Sequence, residues 1–343
     1  ADRYTTSYNN GTGEYSIQMS AKGNENLTWE KKKAINVGVD FSFFNYRLNG
    51  TLEYYNGKTS DLLYNKTVPL SAGMTVSTYP VNVGELLNRG WELSLDGTII
   101  KKKNLEWSAN LALATNHNEF LSLDPSVEEV GIKSSSQIIR VGGSMQQGYM
   151  VKFAGVDPEN GRAQYYVSYD AEGNRLANTY GGEPIATTEK TYDITEASLY
   201  DVGDLLPDLQ GGFGTSVSAF GFDLSAQFSF SLGGRYYDGS YQQLMHNGQS
   251  AGSAMHKDLL DAWSPENTSS NIPRLSTASI DDPSTGSQTT NTRFLTSSNY
   301  LELNNITLGY TLPRSITRPL QMQSIRVYVA GDVGCYRFCS DIV

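Results

Sequence analysis

Residues 222–232 alternate almost without error. Phe222, Leu224, Ala226, Phe228, Phe230 and Leu232 fall on one face, and Asp223, Ser225, Gln227, Ser229 and Ser231 on the other. Successive side chains of a β-strand point to opposite faces, so this run builds a strand with one apolar and one wet surface. The same pattern recurs along most of the chain in stretches of about ten residues, the length a tilted strand needs to cross a bilayer. The implied fold class is all-β: an antiparallel transmembrane β-barrel, present here as a partial barrel.

Other segments repeat the signal. Ile35, Val37, Val39, Phe41 and Phe43 oppose Asn36, Gly38, Asp40 and Ser42, and Tyr46, Leu48, Leu52 and Tyr54 oppose Arg47, Asn49, Thr51 and Glu53. Trp91, Leu93, Leu95 and Ile99 alternate with Glu92, Ser94, Asp96 and Thr98. After the basic turn Lys101–Asn104, Leu105, Trp107, Ala109, Leu111 and Leu113 alternate with Glu106, Ser108 and Asn110. Weaker versions occupy 147–156, 161–169, 298–311 and 324–330. The expectation is about ten strands, with an eleventh near 13–21.

The connections take turns in length. Short ones fall near 44–46, 100–104 and 219–221, with a longer one at 312–323. Long polar ones fall near 57–82, 116–146, 170–207 and 237–297. Short periplasmic turns and long outer loops are the arrangement of outer-membrane barrels. A secreted β-sandwich for binding or adhesion is the alternative class, and it differs in burying its apolar faces against each other.

Composition narrows the function classes. Hydrophobic residues make up only 38% of the chain while aromatics reach 11%, as expected where strands spend every second residue on lipid. No apolar stretch approaches the length of a membrane-spanning helix. A net charge of -10 argues against nucleic acid as a partner. The start, Ala1-Asp2-Arg3-Tyr4, lacks the basic and apolar regions of a signal peptide, so the expectation is either a cleaved leader or a chain that begins in mid-protein.

The chain carries few residues in patterns suited to chemistry. His246 and His256 lie in a Gly/Ser-rich loop without zinc-ligand spacing, and His117 stands elsewhere. Glu128-Glu129 and Asp281-Asp282 read as solvated loop surface, and Asp157–Gly161 and Asp170–Asn174 read as hairpin turns rather than calcium loops. No nucleophile elbow or phosphate loop occurs, so no enzyme, metal or cofactor is expected. The pair Cys335 and Cys339 is read as accidental. Trp91, Trp107, Tyr54 and Tyr55 are expected as interfacial anchors. Phe222, Leu224, Phe228, Phe230 and Leu232 are expected to face lipid. Tyr236, Tyr237, Tyr241 and Trp263, in the longest outer loop, are candidate substrate contacts, with loop packing as the competing role.

Several segments resemble the SusC/RagA family of TonB-dependent outer-membrane transporters of Bacteroidota. They are Leu27–Lys31 leading into Asn36–Phe41, Tyr54-Tyr55-Asn56 with Thr59–Leu63, Asn88-Arg89-Gly90-Trp91-Glu92, and Gly155–Gly161. Pro207-Asp208 with Gly211–Gly214, Gly221–Leu224, and Ser298–Tyr310 follow in the same order. The resemblance implies a plugged barrel of about 22 strands, energised by the TonB complex through an N-terminal region absent here. It implies import of oligosaccharides or peptides with a SusD-like lipoprotein lid. Residues 1–332 then form the C-terminal part of the barrel. Residues 333–343 lose both alternation and likeness and read as a frameshifted or truncated tail.

Overall fold

The computed structural model describes residues 2–67, 78–134, 136–178, 189–250, 252–278, 281–283 and 290–332. Its main element is a nine-stranded antiparallel sheet. The strands are β1 (Lys31–Phe43), β2 (Leu48–Ser60), β3 (Gly84–Lys102), β4 (Leu105–Thr115), β5 (His117–Leu123), β6 (Leu209–Ala219), β7 (Phe222–Leu232), β8 (Tyr300–Thr311) and β9 (Arg326–Asp332). Neighbours in space follow the chain: β1, β2, β3, β4, β6, β7, β8, β9, with β5 continuing along β3 beyond β4. A separate hairpin pairs Arg3–Asn9 with Glu14–Ala21.

The register carries one apolar face across the whole sheet. Residues directly opposite on antiparallel strands point the same way. Val39, Leu52, Leu93, Leu113, Gly211 and Phe230 form one such row. Val217, Leu224, Leu308 and Val329 form another. These side chains are not covered by a second sheet: Val329 is 75% exposed and Leu308 52%. Phe228 stacks on Phe213 with ring centroids 4.8 Å apart and an interplanar angle of 13°. Phe222, Leu224, Phe228, Phe230 and Leu232 share this face. An open apolar face without a packed partner is wall, not sandwich.

Two aromatic levels bound the band. Trp91 and Tyr54 lie toward the long-loop end, their rings 4.9 Å apart. Trp107 lies at the short-turn end, opposite Ile100, where its indole N–H donates to the Thr215 hydroxyl at 2.9 Å. From Trp91 to Ile100 along β3 is roughly 30 Å of tilted strand, in keeping with an apolar band about 25 Å tall. Tyr55 departs from expectation. It follows Tyr54, so it must point to the opposite face, where its hydroxyl donates to the Asn116 side chain at 2.8 Å. It is not a membrane anchor.

The short turns 44–47, 103–104 and 220–221, and the longer connection 312–325, all lie at one end of the sheet. The long connections 61–83, 116–208 and 233–299 lie at the other. The segments 147–156 and 161–169, expected as wall strands, belong instead to the middle excursion. Gln147–Val151 pairs with Leu199–Asp204, and Phe153–Val156 pairs with Ala163–Tyr166. The physical reason is two-sided burial: Tyr149, Met150 and Val151 are consecutive and all at most 2% exposed. A wall strand buries neither face in protein. β3 also begins seven residues before the expected Trp91, because Gly84–Arg89 pairs β5 beyond the hydrocarbon band. The tail 333–343, with its cysteine pair, lies outside the described residues.

The two faces of β7 give a direct test. An arginine near the bilayer midplane costs about 2–4 kcal/mol on the lipid face and little on the lumen face. Phe228→Arg in the full-length protein should therefore abolish the heat-modifiable membrane band on unboiled gels, and Gln227→Arg should leave it intact. Equal tolerance of the two would refute the sidedness.

Candidate functional site

The alternation that gives one greasy face gives the other face its chemistry. Asp40, Thr51, Glu53, Glu92, Ser94, Asp96, Asn110, Gln227 and Asn305 all line the inner face. Toward the long-loop end Thr51, Glu53, Glu92 and Ser94, with Gln210 and Tyr300, line a concavity of about 690 Å³. Glu53 and Glu92 stand directly opposite each other on neighbouring strands, and the Asn36 amide donates to Glu53 at 3.3 Å. Thr51 donates to Asp40 at 2.8 Å. Such a surface offers hydrogen-bond acceptors and donors to a hydrophilic solute while the strands exclude lipid.

At the short-turn end the same face is closed by an ion pair. Arg326 donates through Nε to Asp223 Oδ1 at 3.0 Å and through Nη2 to Oδ2, a two-pronged contact. It spans β8, and residue 309 between them is a glycine. A Cβ there would strike the guanidinium and both carboxylate oxygens, so the close approach depends on Gly309.

The buried cores among the described residues lie at or beyond the outer end of the sheet. One holds Val151, Ala163, Tyr165, Ile194 and Ala197. A second holds Leu86, Phe120 and Leu123, and a third Met245, Leu259 and Phe294. The two long excursions are stitched together. Phe153 N–H donates to Thr292 Oγ1 at 2.9 Å, Arg274 N–H to the Gly161 carbonyl at 2.8 Å, and the Trp263 indole N–H to the Pro158 carbonyl at 3.1 Å.

Three of the four candidate substrate aromatics are used in this packing. Tyr237 and Tyr241 lie against Met245, Leu259 and Phe294. Burial pushes both phenols up to about 12, and for Tyr241 its bond to Asp258 at 2.9 Å adds to the effect. Trp263 lies over Gly161, where φ is +73° and a Cβ would collide with the indole. Tyr236 sits in a short pairing of Arg235–Tyr237 with Leu295–Ser297. The four are therefore not gathered on one open surface.

Asp281 and Asp282 overturn the expectation of solvated loop surface. They are 7% and 0% exposed. Arg274 meets Asp281 at 2.9 Å and Arg293 meets Asp282 at 2.7 Å. Carboxylates enter a protein interior only when paired, and the matching arginines lie close by in sequence. Glu128 and Glu129 are exposed as expected. Asp157–Gly161 is the turn of a hairpin: Asp157 accepts from the Tyr192 hydroxyl at 2.5 Å and the Glu159 N–H at 2.9 Å. These bonds, Tyr192 first, hold its carboxyl below the usual carboxylate range. Asp170 likewise closes the turn to Asn174. His246 is buried and bonded to the Ala254 carbonyl at 3.3 Å, while His256 accepts from the Asp258 N–H at 3.3 Å. Among the described residues no group of three metal-ligating side chains is assembled.

The comparisons with known proteins agree in direction. A family model described as TonB dependent receptor-like, beta-barrel, matches residues 1–312. TonB-dependent receptor P3 of Formosa agariphila is 29% identical over 324 residues, covering 92% of this chain and 30% of the relative. TonB-dependent receptor SusC of Bacteroides thetaiotaomicron is 27% identical over 304 residues, covering 88% of this chain and 28% of the relative. Among solved structures, the RagAB peptide transporter superposes with a TM-score of 0.72 at 26% identity, covering 96% of this chain and 34% of that chain. The chain thus spans less than a third of the length of these curated relatives.

Two tests separate the loop cap from the wall. Phe294 is fully buried, so Phe294→Ala should cost the cap about 3–5 kcal/mol. Limited proteolysis of residues 233–299 should accelerate while the heat-modifiable band persists; joint loss of both would show that cap and wall are one cooperative unit. The second test is acid. A carboxyl held below its unfolded value stabilises above that value, near 4, and the gain is lost as pH falls through the folded value. Amide exchange in 153–166 should speed up below about pH 4 in the parent protein. In Asp157→Asn it should be fast already at neutral pH and show no such step.

Proposed function

Since the chain belongs to the TonB-dependent receptor β-barrel family, we propose that it forms wall and outer loops of an outer-membrane importer for hydrophilic nutrients, oligosaccharides or peptides. The observation that carries this reading is the single uninterrupted apolar face across eight consecutive strands, backed by a polar concave face. The outer membrane is the compartment of the family, and its lipid is the partner of that apolar face. The chain itself is passive in chemistry. Its inner face lets a wet solute pass without meeting hydrocarbon, and its cap gives the outer opening a folded rim.

Energy would enter through a TonB-contacting region elsewhere in the full-length protein. A SusD-like lipoprotein would sit on the cap. The likeness to the RagAB peptide transporter supports a peptide cargo, and oligosaccharides are the other cargo of this reading. The inner face favours neither, because amides, hydroxyls and carboxylates recognise both classes. Tyr236, Tyr237, Tyr241 and Trp263 contribute through the shape of the cap in this reading, with direct ligand contact as their secondary role.

Uptake decides the matter. Cells carrying the full-length gene should accumulate labelled oligosaccharide or oligopeptide pools at least severalfold above a deletion strain. Collapse of the proton-motive force should remove the difference. Uptake that survives the uncoupler would overturn energised import, and no difference from the deletion strain for either pool would overturn nutrient import.

A further inference from the structure

We infer that the outer rim of the apolar face carries a site for the phosphate-bearing headgroup of an outer-leaflet glycolipid, with Arg89 as the phosphate contact. The inference rests on reading the apolar face as lipid-facing. A cavity of about 380 Å³ opens there, lined by Tyr54, Arg89, Trp91, Thr115 and His117 among others. Trp91 and Arg89 are two residues apart on β3 with no register shift between them, so both point outward. Tyr54 lies opposite Trp91, and Asn56 and His117 flank Arg89 on either side.

The order of these groups along the strand matches the order of a lipid. Leu93 and Leu95 lie at acyl-chain depth. The Tyr54 and Trp91 rings sit above them at the interface, and Arg89 lies one step further out, where headgroup phosphates lie. Lys58 meets Glu85 at 2.6 Å and His117 meets Glu119 at 3.3 Å, while Lys33, opposite Lys58, is a second exposed cation further out on the same face. Arg89 is exposed and makes no ion pair among the described residues. A planar guanidinium at the mouth of an aromatic-floored cavity suits a phosphate oxygen pair, which it can bind through parallel N–H donors. A neutral sugar would gain the ring contact but leave the guanidinium unmatched, and the cavity faces away from the lumen through which a nutrient passes.

Native mass spectrometry of the full-length protein, released from detergent with added diphosphoryl lipid A, tests the site. The parent protein should retain the lipid. Arg89→Gln should retain it at least tenfold less, Arg89→Lys should recover most of the binding, and Trp91→Ala should weaken it. Equal retention by Arg89→Gln, or equal retention of lipid A stripped of phosphate, would overturn the site. So would a parent protein that binds no lipid A and instead cross-links to a second copy through position 89. The heat-modifiable band is recorded for every variant. Its absence in the parent would sink the lipid-facing reading itself, whereas its presence with phosphate-independent binding sinks only the headgroup site.

Discussion

The hydrogen-bonded register of the sheet is the constraint on which everything else depends. Inside hydrocarbon no water can satisfy a backbone N–H or C=O, so each strand must find both neighbours. Once Ala219 pairs Phe222 and Leu209 pairs Leu232, every side chain between them is assigned to lipid or lumen. A slip of one residue would carry Phe213, Phe228 and Leu303 into the lumen and Gly214, Gln227 and Asn305 into the membrane. The tight turns that hold this register are themselves strained. Phe44, Asn45 and Tyr46 all take positive φ near 60°, and Phe220 does the same beside Gly221. Residues with a Cβ accept that conformation only where the flanking ladder over-determines it.

Much of the wall was legible in the sequence because period-two alternation is a local signal. Phe222–Leu232, Lys31–Phe43 and Leu105–Thr115 could be read residue by residue, and so could the sorting of short and long connections. What failed had a common cause, that burial in the cap is not local. Gln147–Val151 looks like a weak strand, and it is one, but it pairs with Leu199–Asp204, some fifty residues on. Asp281 and Asp282 look solvated until Arg274 and Arg293 fold over them. Tyr237 and Tyr241 look available until Phe294, some fifty residues on, is placed between them. The expectation for Tyr55 failed for a simpler reason: two adjacent residues cannot both face lipid.

Wall and cap are stabilised by different physics. The wall is a hydrogen-bond ladder whose side chains rely on lipid on one side and water on the other, and its packing is cross-strand contact such as Phe213 on Phe228. The cap is an ordinary protein interior, with apolar clusters, buried ion pairs and capped turns. This explains how a chain with only 38% hydrophobic residues can supply a membrane face and three buried clusters. The alternation spends apolar residues only where lipid requires them, and the loops concentrate the remainder.

The length of β3 joins the two parts. At 19 residues it is nearly twice what a crossing needs, and its outer third is clamped by β5 and by Leu86 against Phe120. The strand therefore acts as a cantilever: one end is fixed in the membrane and the other is embedded in the cap. A load applied to the cap has a continuous covalent and hydrogen-bonded path down to Glu92, Ser94 and Asp96 on the inner face. Stiffness at the mouth and curvature of the channel are in this way mechanically coupled, and a force on one deforms the other.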